Sequence, residues 1–384
     1  MAQLQDRGMA ETVTAMEIIK MNLKYFAFIV AVFLLLPQKA LPQFLFETTF
    51  ENYYDDNIYN NSLKVEDFVN SFNYNTAYDI ESDYNNFQFY YMGNLSYFQK
   101  NIFKSSNSHK VGIVNTYLLS EYDNPINIGT NYSWRNNRDD FEVFNFDQLS
   151  AYANYRHSFA ESDKLILGYI FNRNNYKNFS VFSHNEHKAF LKSIFGFSSG
   201  TSLNLGIEFN FKDYWEYIQS DIVANSNSQL NFSANIAQSL DDNTGIAVNG
   251  SYRKSLTSGT RYINSGEFTY YEEEIFNDLY SNEGFSAGVS ISRYLSETVF
   301  IRAEFIYQNK NYLNVPATDL EGYDLPENRL DKQYAGGVGL DFDLSSVING
   351  LILSVNWNYI YDKSNDYYYN YDNQLLSVGF NWGF

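Results

Sequence analysis

The sequence predicts an all-β protein: a transmembrane antiparallel up-and-down β-barrel of about sixteen strands, fourteen being the other count the pattern admits. Three observations predict it. Apolar and polar residues alternate along the chain, the alternating runs are about 10 to 14 residues long, and every second connection between runs is tight. Alternation with period two sorts a strand's side chains onto two faces, whereas a helix would scatter them. Soluble strands average about 5 to 6 residues, and a tilted strand crossing a bilayer needs about 9 to 11. Composition agrees: 35 Tyr, 33 Phe and 4 Trp make the chain 19% aromatic, 48 Asn supply turns and wet faces, and there are only 5 Pro.

The alternating runs lie, in order, at 44–58, 66–80, 85–99, 110–121, 126–135, 145–158, 163–175, 186–198, 201–213, 228–240, 243–255, 283–295, 298–310, 333–344, 350–362 and 373–384. The third sets Phe87, Phe89, Tyr91, Leu95 and Tyr97 against Gln88, Tyr90, Asn94 and Ser96. In the ninth, Leu203, Leu205, Ile207, Phe209 and Phe211 oppose Asn204, Gly206, Glu208, Asn210 and Lys212. The thirteenth and fifteenth repeat the pattern, Val299 to Tyr307 and Leu351 to Tyr359 giving the apolar faces. The first and fifth runs are the weakest. Tight connections fall at 82–84, 123–125, 161–163, 198–200, 241–243, 296–298 and 345–349 and are read as periplasmic turns. The alternate connections, above all 256–282 and 311–332, are longer and rich in charge and aromatics; they are read as extracellular loops. An even strand count puts both ends on one side, and no fixed repeat period points to a solenoid.

Ahead of the first run, Met21 to Pro37 joins a short basic region to about a dozen apolar residues. That core is shorter than the roughly 20 residues a membrane helix needs, and it matches a secretory signal peptide. Residues 1–43 are therefore expected to be an upstream extension and a signal peptide that is removed, and 44–384 a single barrel domain. The chain has no cysteine, which excludes disulfides, thiolate chemistry and a lipid on cysteine. A net charge of −19 excludes the basic footprint of a nucleic-acid binder.

In the last run Leu376, Val378, Phe380, Trp382 and Phe384 alternate with Ser377, Gly379, Asn381 and Gly383. This ending resembles the C-terminal targeting strand of Gram-negative outer-membrane β-barrels, porin-like proteins among them. There a polar residue, a glycine two on, an aromatic three further and a final aromatic form the signal read by the barrel-assembly machinery. Ser377, Gly379, Trp382 and Phe384 fit that spacing. The resemblance implies the bacterial outer membrane as location, with its lipid and lipopolysaccharide and the assembly machinery as partners. A shorter stretch, Tyr54 to Tyr59, is weakly similar to the end of the first strand in several barrel families, including surface-lipoprotein exporters; a polar extracellular strand end explains it better, and the helical region that accompanies the exporters is not seen ahead of it.

Catalytic and metal chemistry find little support. His157 has outward parity, as a barrel phospholipase would need, but nothing marks a serine partner. His184, Glu186 and His187 could converge on a metal only in a loop, because a strand sends them to opposite faces. The acidic clusters at Glu272 to Asp278 and Asp319 to Asp331 follow no EF-hand spacing and suit a negative vestibule. No enzyme activity, cofactor or resident metal is expected. Inward parity falls on Asp79, Arg156, Lys192, Glu208, Lys212, Arg253, Arg302, Glu304, Lys310, Asp341, Asp343 and Asp362. Of these, Arg156, Glu208, Lys212, Arg253, Arg302, Glu304, Asp341 and Asp343 are the candidates for setting selectivity, with Arg302 and Glu304 able to pair with each other. Sixteen strands enclose an aqueous channel unless something blocks it. The expected function is a porin-like channel for passive diffusion of small hydrophilic solutes, with homo-oligomerisation left open. The alternative is a non-conducting surface or secretion-associated barrel that binds a protein or glycan through its loops.

Overall fold

A computed structural model describes residues 43–119, 124–218, 224–257 and 282–383. The chain divides into the units Met1–Leu45 and Phe46–Phe384, and the description that follows concerns the second. The expected leader, the connection 256–282 with Glu272 to Asp278, and Phe384 lie largely or wholly outside the described residues.

Sixteen antiparallel strands close into a barrel in which each pairs with its sequence neighbours and the first pairs with the last. They are β1 (Phe44–Asp55), β2 (Asp67–Glu81), β3 (Asn85–Phe98), β4 (Ser106–Leu118), β5 (Pro125–Asn137), β6 (Phe146–Ser158), β7 (Lys164–Tyr176) and β8 (His184–Phe197). The other half holds β9 (Thr201–Tyr214), β10 (Ser226–Ser239), β11 (Thr244–Ser255), β12 (Asn282–Ser296), β13 (Val299–Thr318), β14 (Asp324–Asp343), β15 (Leu351–Ser364) and β16 (Tyr371–Gly383). Every run read from the alternation is a strand, the weak first and fifth included. Where each strand lies between two neighbours, closure leaves no sheet edge, so the ladder's donors and acceptors are used within the wall.

Burial is inverted relative to a soluble protein. On β9, Leu205, Ile207 and Phe209 are exposed on one face, while Asn210 and Lys212 are buried on the other. Across the barrel, exposed large apolar residues are many and the buried set is mostly polar. An apolar face this extensive belongs against hydrocarbon, and the polar face lines the lumen.

Tight turns and longer connections segregate to opposite ends. At the turn end, Gly350 has φ +75, and a Cβ there would sit 2.1 Å from the carbonyl oxygen of Gly383, so glycine is required on both counts. At the loop end the structure corrects one reading. Segment 311–332 is largely strand: β13 and β14 reach 20 residues each and continue past their neighbours as a hairpin closed at 319–323, with Gly322 at φ +82. Pairing there shifts register at Pro316, which has no N–H to donate.

The described chain also has an apolar core, and it is built from loops. Ile58 and Tyr59 from the β1–β2 connection, Phe141 and Phe144 from β5–β6, and Phe182 from β7–β8 pack on Val69 and Phe98 near the strand ends. Tyr53, Tyr176 and Tyr368 flank them. Val69, Phe98, Tyr53 and Tyr176 share the lumen face of their strands, so these loops fold inward over the mouth.

Candidate functional site

The lumen wall is the candidate site, and cross-strand register shows which of its side chains meet. One row of partners runs Lys310, Gly284, Arg253, Asn231, Glu208, Phe190 from β13 to β8. It brings Arg253 and Glu208 to either side of Asn231. The Asn231 amide donates to Glu208 at 3.3 Å, Asn210 donates to the same carboxylate at 2.8 Å, and Arg253 reaches Asn282 Oδ1 at 3.0 Å. A neighbouring row places Lys192 and Arg156 two strands apart, on either side of Ile166. Lys212 lies toward the loop end, nearly buried, with its ammonium 5.4 Å from the centre of the Tyr214 ring.

Arg302 and Glu304 do not pair. Arg302 turns across β14 to Asp341, with Nη1 3.4 Å from Oδ2, and donates from Nη2 to Asn356 Oδ1 at 3.0 Å. Gly339 makes room: a Cβ there would lie 2.8 Å from Arg302 Nε and 2.6 Å from Asn356 Oδ1. From Asp341 the polar contacts continue around the wall, since Ser354 donates to Asp341 at 2.6 Å and Thr49 donates to Asn381 at 2.5 Å. Asn381 closes the gap by donating to Ser354 Oγ at 3.4 Å. Arg302 nevertheless keeps 52% of its side chain accessible, so its charge faces the water of the lumen. Glu304 is exposed opposite Ser290 and Gly337, and Asp343 sits at the turn end accepting from the Ser345 N–H at 2.8 Å.

Charge is unevenly spread around this wall. Lys110, Arg135, Arg156, Lys192, Lys212 and Arg253 come from β4 to β11, whereas Glu304, Asp341, Asp362, Glu47, Glu51 and Asp79 come from β13 round to β2. Glu186 and Glu208 on the basic side, and Arg302, Lys310 and Arg329 on the acidic side, are exceptions set among charges of the other sign. Charges of opposite sign on facing parts of the wall set up a field across the lumen between them. A cavity of about 580 Å³ opens beside Glu47, Thr49, Asn73, Asn94, Lys110 and Gln148, where the acidic side meets the basic one.

Sequence reasoning missed the loop core and Lys104 within it. Lys104, from the 3-10 turn Ile102–Lys104, is only 8% exposed, and its ammonium lies 4.8 Å from the Tyr59 ring centre, 5.7 Å from Phe98 and 5.9 Å from Phe141. A cation over ring faces is favoured most when desolvated, so this contact ties three connections together. The signal in sequence was aromatic residues in connections that need none: Tyr59, Phe141, Phe144 and Phe182.

The histidines are engaged structurally. His184 and Glu186 share the lumen face of β8 while His187 points the opposite way, so the three do not converge, and the described residues hold no cluster of metal-ligating side chains. His184 is buried against Asn174 and the Phe182 carbonyl. On the outer face, His109 meets Tyr91 at 2.8 Å and stacks on Trp134, and His157 meets Tyr155 at 3.2 Å. In the closing strand Ser377 is buried in the wall beside Asn356, and Gly379 lies opposite Glu51. Trp382 on the outer face donates from Nε1 to the Asn349 carbonyl at 3.1 Å.

No family model matches the sequence, and no match is found among curated proteins. Among solved structures the chain is similar in fold to the outer membrane protein opdK of Pseudomonas aeruginosa, with TM-score 0.51 at 10% identity over 89% of this chain and 100% of that one. OccK8 (OprE) of the same organism gives TM-score 0.51 at 10% identity, over 89% and 98%. OccAB4 of Acinetobacter baumannii gives 0.52 at 10%, again over 89% and 98%. At this identity the likeness is one of architecture: over nearly their full lengths, these chains share a barrel fold.

Proposed function

We propose that the protein is a channel of the Gram-negative outer membrane through which small hydrophilic solutes pass by diffusion. The observation that carries this reading is the polar, water-accessible inner wall, with Arg302 and Glu304 exposed on it, inside a barrel whose outer face is apolar. Similarity in fold to a protein described as an outer membrane protein supports the location. Among the described residues, the loops that fold inward on the β1 to β8 side narrow the mouth above the charged rows of the wall. Residues 1–43 serve as a removed leader. Ser377, Gly379, Trp382 and Phe384 serve as the signal for the barrel-assembly machinery, and lipid and lipopolysaccharide surround the folded wall.

The test is conductance. Purified barrel in a planar bilayer gives stable steps, and its reversal potential in a salt gradient reports ion preference. Silence from protein shown to be folded by heat-modifiable migration overturns the channel. A second reading draws on the packed loop core: a mouth closed by Tyr59, Phe141, Phe144 and Phe182 would present a surface to a partner and conduct nothing. Silence in the bilayer is its signature.

A further inference from the structure

On the outer face of the wall, β14 and β15 place Lys332 and Lys363 directly opposite each other. Both are exposed, and among the described residues neither side chain has an ion pair or a hydrogen bond. Like charges directly opposite in a ladder repel and normally destabilise it. Two residues nearer the middle of the wall, on the same face, Tyr334 and Tyr361 stack with ring centres 6.3 Å apart, and Tyr307 adds a third ring 5.1 Å from Tyr334. Aromatic rings of this kind settle at the headgroup level of a bilayer. The lysines stand just beyond them toward the loop end. The nearby carboxylate on this face, Asp372 opposite Tyr361, is taken by Lys64 at 2.7 Å.

We propose that Lys332 and Lys363 form a clamp for a phosphate on the headgroup of an outer-leaflet lipid, with the tyrosines carrying the first part of its acyl chains. A phosphate between two ammonium groups converts their repulsion into two charge-assisted hydrogen bonds. The aromatic step beneath fixes the depth at which an anchored headgroup arrives, and a free anion gains nothing from that step. The inference rests on the outer-membrane reading, but lipid binding and conductance are measured separately. A conducting barrel without lipid binding overturns only the clamp, and a silent barrel that binds lipid overturns only the channel.

The experiment uses the full barrel in a neutral detergent. Native mass spectrometry counts bound lipid A carrying two phosphates, fully dephosphorylated lipid A, or inorganic phosphate, and the unfolding temperature is followed alongside. Wild type binds the phosphorylated lipid and gains thermal stability, while the dephosphorylated lipid and inorganic phosphate at equal concentration give no shift. Neutralising both lysines (K332Q with K363Q) weakens binding of the phosphorylated lipid roughly thirtyfold, the loss of two surface cations next to an anionic headgroup. Without lipid that variant unfolds no earlier than wild type, because the repulsion is gone, and the charge-preserving pair K332R with K363R keeps the binding. Unchanged binding in the glutamine variant overturns the clamp, as does inorganic phosphate matching the lipid. Lower stability of the glutamine variant in plain detergent does so too, since the pair would then not be strained.

Discussion

Arg302 shows how far one side chain's role depends on its neighbours across the ladder. The alternation of β13 assigns it to the lumen, but only register reveals that Gly339 beside it leaves room for Arg302 to cross to Asp341. The pair is open to water and worth only about 0 to 1 kcal/mol, so breaking it changes the field more than the fold. Asp341→Asn should leave the barrel's stability nearly unchanged and move its ion preference toward anions; Arg302→Gln should move it toward cations, both read as reversal potentials in a salt gradient. Equal reversal potentials for both variants and wild type would remove Arg302 from the conduction path. Gly112 makes the complementary point about packing. A Cβ there would sit 2.4 Å from the Tyr90 ring, so Gly112→Ala forces the ring aside and should cost about 1 to 3 kcal/mol in urea unfolding from micelles. The facing of each residue was legible because it depends on parity alone, whereas pairing was not, because sliding one strand past its neighbour keeps the sequence pattern and changes every partner.

At the scale of elements, legibility follows the lipid. Where a strand crosses the bilayer, one face must be apolar and the other wet, and that demand writes the alternation into the sequence. Beyond the bilayer it lapses, which is why the hairpin extension of β13 and β14, with Pro316 and a run of acids, read as a loop. The inward-folded connections were hidden for a related reason: Ile58, Phe141 and Phe182 are far apart in sequence and meet only once the barrel has closed. Lys104 sits at their centre, and Lys104→Ala removes a desolvated cation–π contact worth about 2 kcal/mol. The expected result is a loosened cap, seen as faster protease cleavage within 56–66 and noisier single-channel currents. Cleavage and current both at wild-type values would mean that the cap stands without it. The rim of the same loops carries a pH response. Glu66 in the β1–β2 connection is held below the ordinary carboxylate range, first by its hydrogen bond from Lys100 at 2.5 Å and then by that from Tyr54. A carboxylate with a depressed folded-state pKa stabilises only while ionised. Its contribution is present above the unfolded value of 4.5 and is lost as pH falls through the lower folded value. Acidification through that window should therefore raise cleavage in the same loop, and Glu66→Gln should abolish the pH dependence.

For the whole molecule, the balance of charge predicts what passes most easily. The chain carries −19, yet the lumen wall holds basic and acidic groups in similar measure, so the excess acid belongs to the connections at both ends, Asp83, Glu161, Asp163, Asp241, Asp242 and Glu297 on the turn side as well as the loop-side mouth. A negative vestibule raises the local concentration of cations ahead of a nearly neutral lumen. Its reach is set by the Debye length, about 10 Å at 0.1 M salt and about 3 Å at 1 M. If entry through that vestibule limits flow, the channel should prefer cations at 0.1 M, and the preference should fade toward 1 M. A preference set instead by fixed rows such as Arg253 with Glu208, or by Arg302 with Asp341, acts within a few ångströms and should survive high salt. Reversal potentials measured across that range separate the two: a cation preference that does not weaken at 1 M would place the selectivity on the inner wall and not at the mouth.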